Sequence, residues 1–243
     1  MGKPYPHVWK LFGKACAEFN LISGNDTVLV PIDATGLSMS LLFWLNFKSR
    51  RIPVHFKIIP VHFYDGIPCE KNVEFLKSFC IQNQTDLILR SVSQPHSQTE
   101  LYSIYILAAQ ELGCNKIALT DSLDYLDQLI LYNMCRYGIF ECPPLLQSIP
   151  STSIFFIRPF GLLTDDQLSS VSKGNNYPEE GTAIKIDKDP ALSFCKSAID
   201  HLLVESDNIR MNLFHSQFSV SYKYIGVGDG SSITSDDIND ELQ

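Results

Sequence analysis

The sequence predicts an α/β fold: a five-stranded, mainly parallel sheet with helices on both faces and a helical C-terminal extension. Two observations carry that prediction. Short apolar, β-branched runs alternate with segments of helical periodicity along most of the chain, the pattern of strands buried on both faces by crossover helices. The 243 residues, 45% hydrophobic and 19% charged, also suffice for one sizeable core.

The elements follow in order. Residues 7–22 carry Val8, Leu11, Phe12, Ala15, Phe19 and Ile22 at helical spacing, and Ser23-Gly24-Asn25-Asp26 stops that helix. Residues 27–32, Thr-Val-Leu-Val-Pro-Ile, read as a buried strand that leads through a turn into a helix over 38–47. Three more pairs repeat the unit: strand 54–63 with helix 70–82, strand 86–89 with helix 99–112, and strand 116–119 with helix 123–137. A fifth strand over 153–157 ends at Arg158-Pro159, where proline cannot supply a ladder N–H. Thr164-Asp165-Asp166-Gln167 has the chemistry of a helix N-cap, 173–189 reads as loop, and 191–204 as helix. The chain thus divides into an α/β region with its N-terminal helix over 1–163, a helical extension over 164–225, and an acidic, glycine-rich tail over 226–243 that reads as disordered.

Composition excludes little but orders the options. A net charge of −8 does not advertise a nucleic-acid partner. Basic residues gather only at Lys10, Lys14, Lys48, Arg50 and Arg51, which read either as solvated helix ends or as contacts to RNA phosphates. The N-terminus lacks an apolar signal core and no apolar run is long enough to span a bilayer, so a cytoplasmic location without a membrane partner is expected. Seven cysteines, at 16, 69, 80, 114, 135, 142 and 195, form no CxxC pair and read as reduced, mostly buried thiols.

Ligands of parallel sheets bind beyond the carboxyl ends of the strands, where strand order switches. That rule directs attention to the turns at 33–38, 62–68 and 120–125. A strand, a tight turn and a helix can cradle phosphate, because the first N–H groups of the helix face an incoming anion. Here the turn is Asp33-Ala34-Thr35-Gly36-Leu37-Ser38: one glycine, no lysine, and a carboxylate at the entrance. Taken alone it is a poor anion site. His55 and His62 have odd spacing on one strand, so they face opposite sides and read as strand histidines rather than a metal pair. Asp121, Asp124 and Asp127 fall three apart; if the helix begins early they share a face, as a cation cluster or as solvated and capping groups. Ser38 has no evident histidine partner to make it a nucleophile.

Several colinear segments resemble the tRNA 2-thiocytidine synthetase family, PP-loop ATP pyrophosphatases related to the tRNA lysidine synthetases. They are Gly13-Lys14-Ala15-Cys16-Ala17-Glu18-Phe19-Asn20-Leu21-Ile22, the strand over 27–32, Ser38-Met39-Ser40-Leu41-Leu42, Glu111-Leu112-Gly113-Cys114-Asn115-Lys116-Ile117-Ala118-Leu119, Leu126-Asp127-Gln128-Leu129-Ile130-Leu131-Tyr132-Asn133-Met134, and Ile157-Arg158-Pro159-Phe160 with Asp165-Asp166-Gln167-Leu168. The resemblance spans about residues 7–205 in the family's order and spacing. It implies a Rossmann-like PP-loop fold, ATP and Mg²⁺ as cofactors, tRNA as partner, and a homodimer interface on the N-terminal helix and the extension.

The motifs of that family are altered in three places. Its PP-loop, Ser-Gly-Gly-x-Asp-Ser, corresponds to Asp33-Ala34-Thr35-Gly36-Leu37-Ser38, where only the final serine is kept. Ala34 and Thr35 add Cβ atoms where backbone must approach pyrophosphate. Asp33 adds a carboxylate. At an effective dielectric of about 20, two unit charges about 4 Å apart repel by roughly 4 kcal/mol, about a thousandfold in affinity. The family's Gly-His-His-x-Asp-Asp corresponds to Thr120-Asp121-Ser122-Leu123-Asp124-Tyr125, leaving Asp124 to assist a Mg²⁺ ion or to cap the helix that follows. The Cys-x-x-Cys that helps hold the family's iron–sulfur cluster corresponds to Gln94-Pro95-His96-Ser97, so a cluster is not expected. The sequence therefore predicts a pseudoenzyme, kept for binding tRNA, a nucleotide or a protein through a vestigial or altered loop. The alternative is an active ATP- and Mg²⁺-dependent tRNA-thiolating enzyme in which Ser38 and the loop N–H groups hold pyrophosphate and Asp124 assists the metal.

Overall fold

A computed structural model describes residues 5–178, 184, 186, 189–206 and 208–218, so the tail expected over 226–243 lies outside the described residues. Six strands form one sheet: β1 Thr27–Pro31, β2 Lys57–Tyr64, β3 Ile88–Ser91, β4 Lys116–Ala118, β5 Leu146–Ser148 and β6 Phe155–Ile157. The helices are α1 Pro6–Glu18, α2 Gly36–Ser49, α3 Glu70–Gln82, α4 Gln98–Glu111, α5 Leu123–Tyr137, α6 Asp165–Gly174, α7 Pro190–Leu202 and α8 Ile209–Ser216. Strand order is β3-β2-β1-β4-β6-β5, parallel throughout except for the β5–β6 pair. The parallel α/β architecture is the one the alternating pattern predicts.

Hydroxyl side chains start four of the helices. Thr35, Ser97, Ser122 and Thr164 each accept the N–H of the residue three further on, which satisfies a donor the helix itself leaves open. Prolines in the sheet sit where they do no harm. Pro31 pairs only with Val61, the β1–β4 ladder being confined to Val28 and Leu29. Pro60 precedes the β2–β3 ladder, which begins at Val61.

The sheet has six strands rather than five. The additional strand, β5, is a three-residue antiparallel edge element that follows Pro143-Pro144, and those prolines read as loop. The first helix ends at Glu18 rather than 22. Asn20 adopts φ 50° and the Leu21 N–H turns back to the Cys16 carbonyl, which closes the helix and buries Leu21. The second strand starts at Lys57 rather than 54, because the His55 carbonyl is taken by the Asn25 N–H outside the ladder. The loop helix is longer than 38–47, running from Gly36 to Ser49.

One core cluster lies around α1, α2 and α5, with Trp44 wedged against Phe12 (5.3 Å between ring centroids) and Phe160 (5.5 Å). The other, on the opposite face, gathers Leu29, Val61, Phe63, Ala109 and Phe156 around α4. Burial on both sides explains why the centre of β1, Val28-Leu29-Val30, reads as a continuous apolar run rather than an alternating one. Among the described residues, no helix is long and apolar enough to cross a membrane. Strand order reverses between β1 and β4, and the turns that leave their carboxyl ends face each other across a crevice.

Candidate functional site

That crevice opens into a cavity of about 780 Å³. The turn after β1 forms one wall, with Asp33, Thr35, Gly36, Leu37 and Ser38; the turn after β4 supplies Thr120, Asp121 and Ser122; α4 and α5 contribute Tyr102, Tyr105 and Tyr125. Its size is that of sites for small organic ligands.

The turn after β1 is closed on itself. Asp33 Oδ1 accepts three hydrogen bonds: from the Thr35 N–H (3.0 Å), the Thr35 hydroxyl (2.6 Å) and the Ser38 hydroxyl (2.6 Å). The Asp33 N–H in turn donates to Ser38 Oγ at 3.2 Å, and the Ser38 N–H donates to Thr35 Oγ1 at 3.3 Å. The Gly36 N–H, first of α2, goes to the Pro178 carbonyl at 2.9 Å. A helix N-terminus attracts an oxyanion through its first N–H groups; here those of Gly36 and Ser38 are taken by the Pro178 carbonyl and Thr35 Oγ1, while Asp33 takes the Thr35 N–H just ahead of them. Ala34 lies in the left-handed region at φ 64°, which a glycine would adopt without strain. Gly36 is required for packing. A Cβ there would stand 1.7 Å from Ser172 Oγ, so α2 and α6 approach through it. Ser38 is buried and Leu37 points outward, 37% exposed.

The turn after β4 is spent on structure as well. Ser122, not Asp124, caps α5. Asp124 lies inside that helix, where its Oδ2 accepts the first N–H of α6 from Asp165 at 2.7 Å and its Oδ1 accepts from Arg210 Nε on α8. It is not part of the cavity wall. Capping is therefore the role the geometry gives it, but of α6 rather than of its own helix. Asp121 precedes α5 and pairs with Arg158 Nε at 2.8 Å; Arg158 also donates to the Pro144 carbonyl and Gln147 Oε1, which ties the β5–β6 hairpin to this turn. Asp127 is fully buried and neither carboxylate oxygen has a hydrogen-bond partner among the described residues. Burial, then the neighbouring Asp124 charge, push its pKa up to about 8, with Arg210 opposing. Asp124 and Asp127 thus share the Arg210 side of α5 while Asp121, ahead of the helix, turns to Arg158, and among the described residues no three His, Cys, Asp or Glu side chains come together to hold a metal.

Other sequence candidates resolve into structural roles. His62 is buried, its Nδ1 2.8 Å from the Ile32 carbonyl, bracing the exit of β1 into the turn; His55 lies ahead of β2, outside the strand. Ser97, at the end of Gln94-Pro95-His96-Ser97, caps α4. The residues there cannot supply thiolates, so the positions that match the family's cluster motif do not fit an iron–sulfur centre. Of the basic group, Arg50 donates to the Asn83 carbonyl (2.8 Å), Arg51 lies over the Phe47 ring at 4.0 Å, and Lys14 pairs with Glu18. Lys48, Arg50 and Arg51 are at the far end of α2, which over 14 residues rises about 21 Å from the turn.

The tyrosines were not legible as site residues, although their signal is simple: Tyr102 and Tyr105 are three apart on the first half of a helix, the half that faces the strand ends. Burial raises the Tyr105 pKa, and the Asp33 and Asp121 charges add to it. Tyr125 is raised to about 12, again by burial first and Asp121 second.

No family model matches the chain. The tRNA-cytidine(32) 2-sulfurtransferase of Syntrophotalea carbinolica is 28% identical over 189 residues, covering 70% of this chain and 71% of that protein. The protein of the same name from Cupriavidus necator is 27% identical over 68% of this chain and 57% of its own length, and that of Paraburkholderia phytofirmans 29% identical over 72% and 56%. The chain thus aligns with little more than half the length of some of these relatives. Among solved structures, the U34-tRNA thiolase NcsA from Methanococcus maripaludis, solved with its 4Fe–4S cluster, superposes with a TM-score of 0.70, covering 91% of this chain and 79% of that one at 13% identity, a likeness of fold. The chain is thus similar in sequence to the tRNA-cytidine(32) 2-sulfurtransferases over about 70% of its length, and similar in fold to the NcsA thiolase.

Proposed function

We propose that this protein is a PP-loop homologue of the tRNA-cytidine 2-sulfurtransferases that binds a ligand and no longer adenylates one. The observation that carries this reading is the Asp33 carboxylate, which takes up the Thr35 N–H and the Thr35 and Ser38 hydroxyls of its own turn. A pyrophosphate arriving at the turn meets donors already engaged and a fixed negative charge. Two further features support the reading. Asp124, the one kept carboxylate of the turn after β4, neutralises Arg210 and holds α6, so a Mg²⁺ ion would have to displace both. Gln94 and Ser97 stand where sulfur transfer would need thiolates, and an amide and a hydroxyl are poor ligands for the soft iron of a cluster.

Binding is what the remaining chemistry suits. The cavity persists, walled by tyrosines and bordered by hydroxyls. A tRNA partner is compatible with Lys10, Lys14, Lys48 and Arg51, but α2 separates its basic end from the turn by about 21 Å. RNA held there would contact the protein without its nearest phosphates entering the cavity.

Complementation tests the reading in cells. Expressed in a bacterium deleted for its own tRNA-cytidine 2-sulfurtransferase, the protein is expected to restore no 2-thiocytidine in total tRNA digested for mass spectrometry. Restoration of the thiolated nucleoside would overturn the proposal and leave the alternative, an ATP- and Mg²⁺-dependent thiolating enzyme with atypical motifs.

A further inference from the structure

The cavity's lining specifies the class of ligand more narrowly. On one wall Asp33 gathers the N–H and hydroxyl of Thr35 and the hydroxyl of Ser38, and the Gly36 N–H at the head of α2 is committed to Pro178. Asp165, which accepts the Ser122 hydroxyl at 2.6 Å, places a second carboxylate on the same lining, and Asp121 a third whose charge is paired with Arg158. Of the two lysines that reach the cavity, Lys173 is on α6 and Lys196 on α7, the latter paired with Asp200 at 3.5 Å. Beyond the charged residues the walls are largely aromatic: Tyr102 and Tyr105 from α4, Tyr125 from α5, with Phe63 and Leu101. Such a surface stacks a planar ring irrespective of its edge pattern. Carboxylates and hydroxyls beside it accept from and donate to alcohols and amines, and repel phosphate.

We propose that the cavity binds an unphosphorylated ribonucleoside, its base stacked among Tyr102, Tyr105 and Tyr125 and its ribose hydroxyls against the carboxylates, with Asp33 as the residue that rejects a 5′-phosphate. This assignment rests on the reading of the protein as a binding module. It makes Asp33 a specificity determinant rather than the scar of a lost activity.

Titration calorimetry on the full chain tests it, with adenosine, cytidine, guanosine and uridine as probes, each beside its 5′-monophosphate and its Mg²⁺-triphosphate. At least one nucleoside is expected to bind below about 1 mM, and its 5′-monophosphate at least about tenfold more weakly. Asp33→Asn keeps an acceptor in the turn without the charge, and should narrow the gap between nucleoside and 5′-monophosphate to about threefold or less. Tyr105→Ala should weaken the nucleoside by about tenfold through lost stacking. A phosphorylated form that binds the wild type as tightly as its nucleoside, or no nucleoside binding at about 1 mM, overturns the assignment. Both results leave the binding reading standing as long as no pyrophosphate is released; release of pyrophosphate from the triphosphate overturns that reading instead.

Discussion

Ala34 is the only residue of the turn held in the left-handed region, at φ 64°. An L side chain there costs about 1 kcal/mol relative to glycine once glycine's extra chain entropy is deducted. Ala34→Gly is therefore expected to raise the melting temperature by about 2–4 °C, measured by calorimetric or circular-dichroism melting; a lowered melting temperature would contradict the strain. Asp127 makes an opposite, pH-dependent contribution. Its pKa is raised from 3.8 to about 8 in the folded chain by burial, so the folded state holds a proton that the unfolded state releases. Stability from this group is complete below about pH 4 and is lost as pH rises towards 8. Asp127→Asn should melt like the wild type near pH 4 and be more stable by about 2–5 kcal/mol near pH 8, in denaturant titrations at both values. Curves that stay parallel across that window would show that Asp127 is charged in the fold. Sequence alone places Asp33 as a carboxylate at the entrance of a turn, because the strand before it and the helix after it are strongly patterned. It does not show that Asp33 points back into its own turn, since hydrogen-bond direction depends on backbone angles at Ala34 and Thr35 that residue identity leaves open.

Between elements, the decisive contact is α2 on α6. Gly36 permits it: a methyl group there would stand 2.6 Å from the Cβ of Ser172, closer than either helix tolerates. Gly36→Ala is expected to cost about 1–3 kcal/mol in denaturant unfolding. Removing the opposing side chain should relieve it, so that Gly36→Ala with Ser172→Gly couples favourably by about 1 kcal/mol or more in a double-mutant cycle. Strict additivity would mean that the helices meet elsewhere. In the sequence Gly36 reads as part of a phosphate cradle because it lies in the turn segment; its role in packing depends on α6, more than a hundred residues away, and no local pattern encodes that. The same limit explains Asp124. Its place at the start of α5 was readable from the apolar periodicity over 123–137, whereas its partners, the α6 N-terminus and Arg210 of α8, come from the extension. The short β5 strand escaped for a different reason: three residues after two prolines carry no periodicity, and pairing with β6 alone makes them a strand.

At the scale of the molecule, the parallel order β3-β2-β1-β4-β6 places the turns after β1 and β4 on either side of one crevice, and the whole fold converges there. Short apolar runs alternating with helical periodicity made that architecture legible from the sequence. Its chemistry was legible only as a set of substitutions; the structure adds what those substitutions do. Asp33 accepts the N–H and hydroxyl of Thr35 and the hydroxyl of Ser38, Asp124 is drawn into an ion pair with α8, and Asp121 is tied to Arg158 and the edge hairpin. Each acts as part of the scaffold around a cavity that remains open and aromatic. The most direct test of a fold kept without its adenylating chemistry is a pyrophosphate-release assay with Mg-ATP and total tRNA, run beside an ATP titration. The account predicts no tRNA-dependent pyrophosphate above background and ATP affinity weaker than about 1 mM; micromolar ATP binding with tRNA-dependent pyrophosphate release would contradict it.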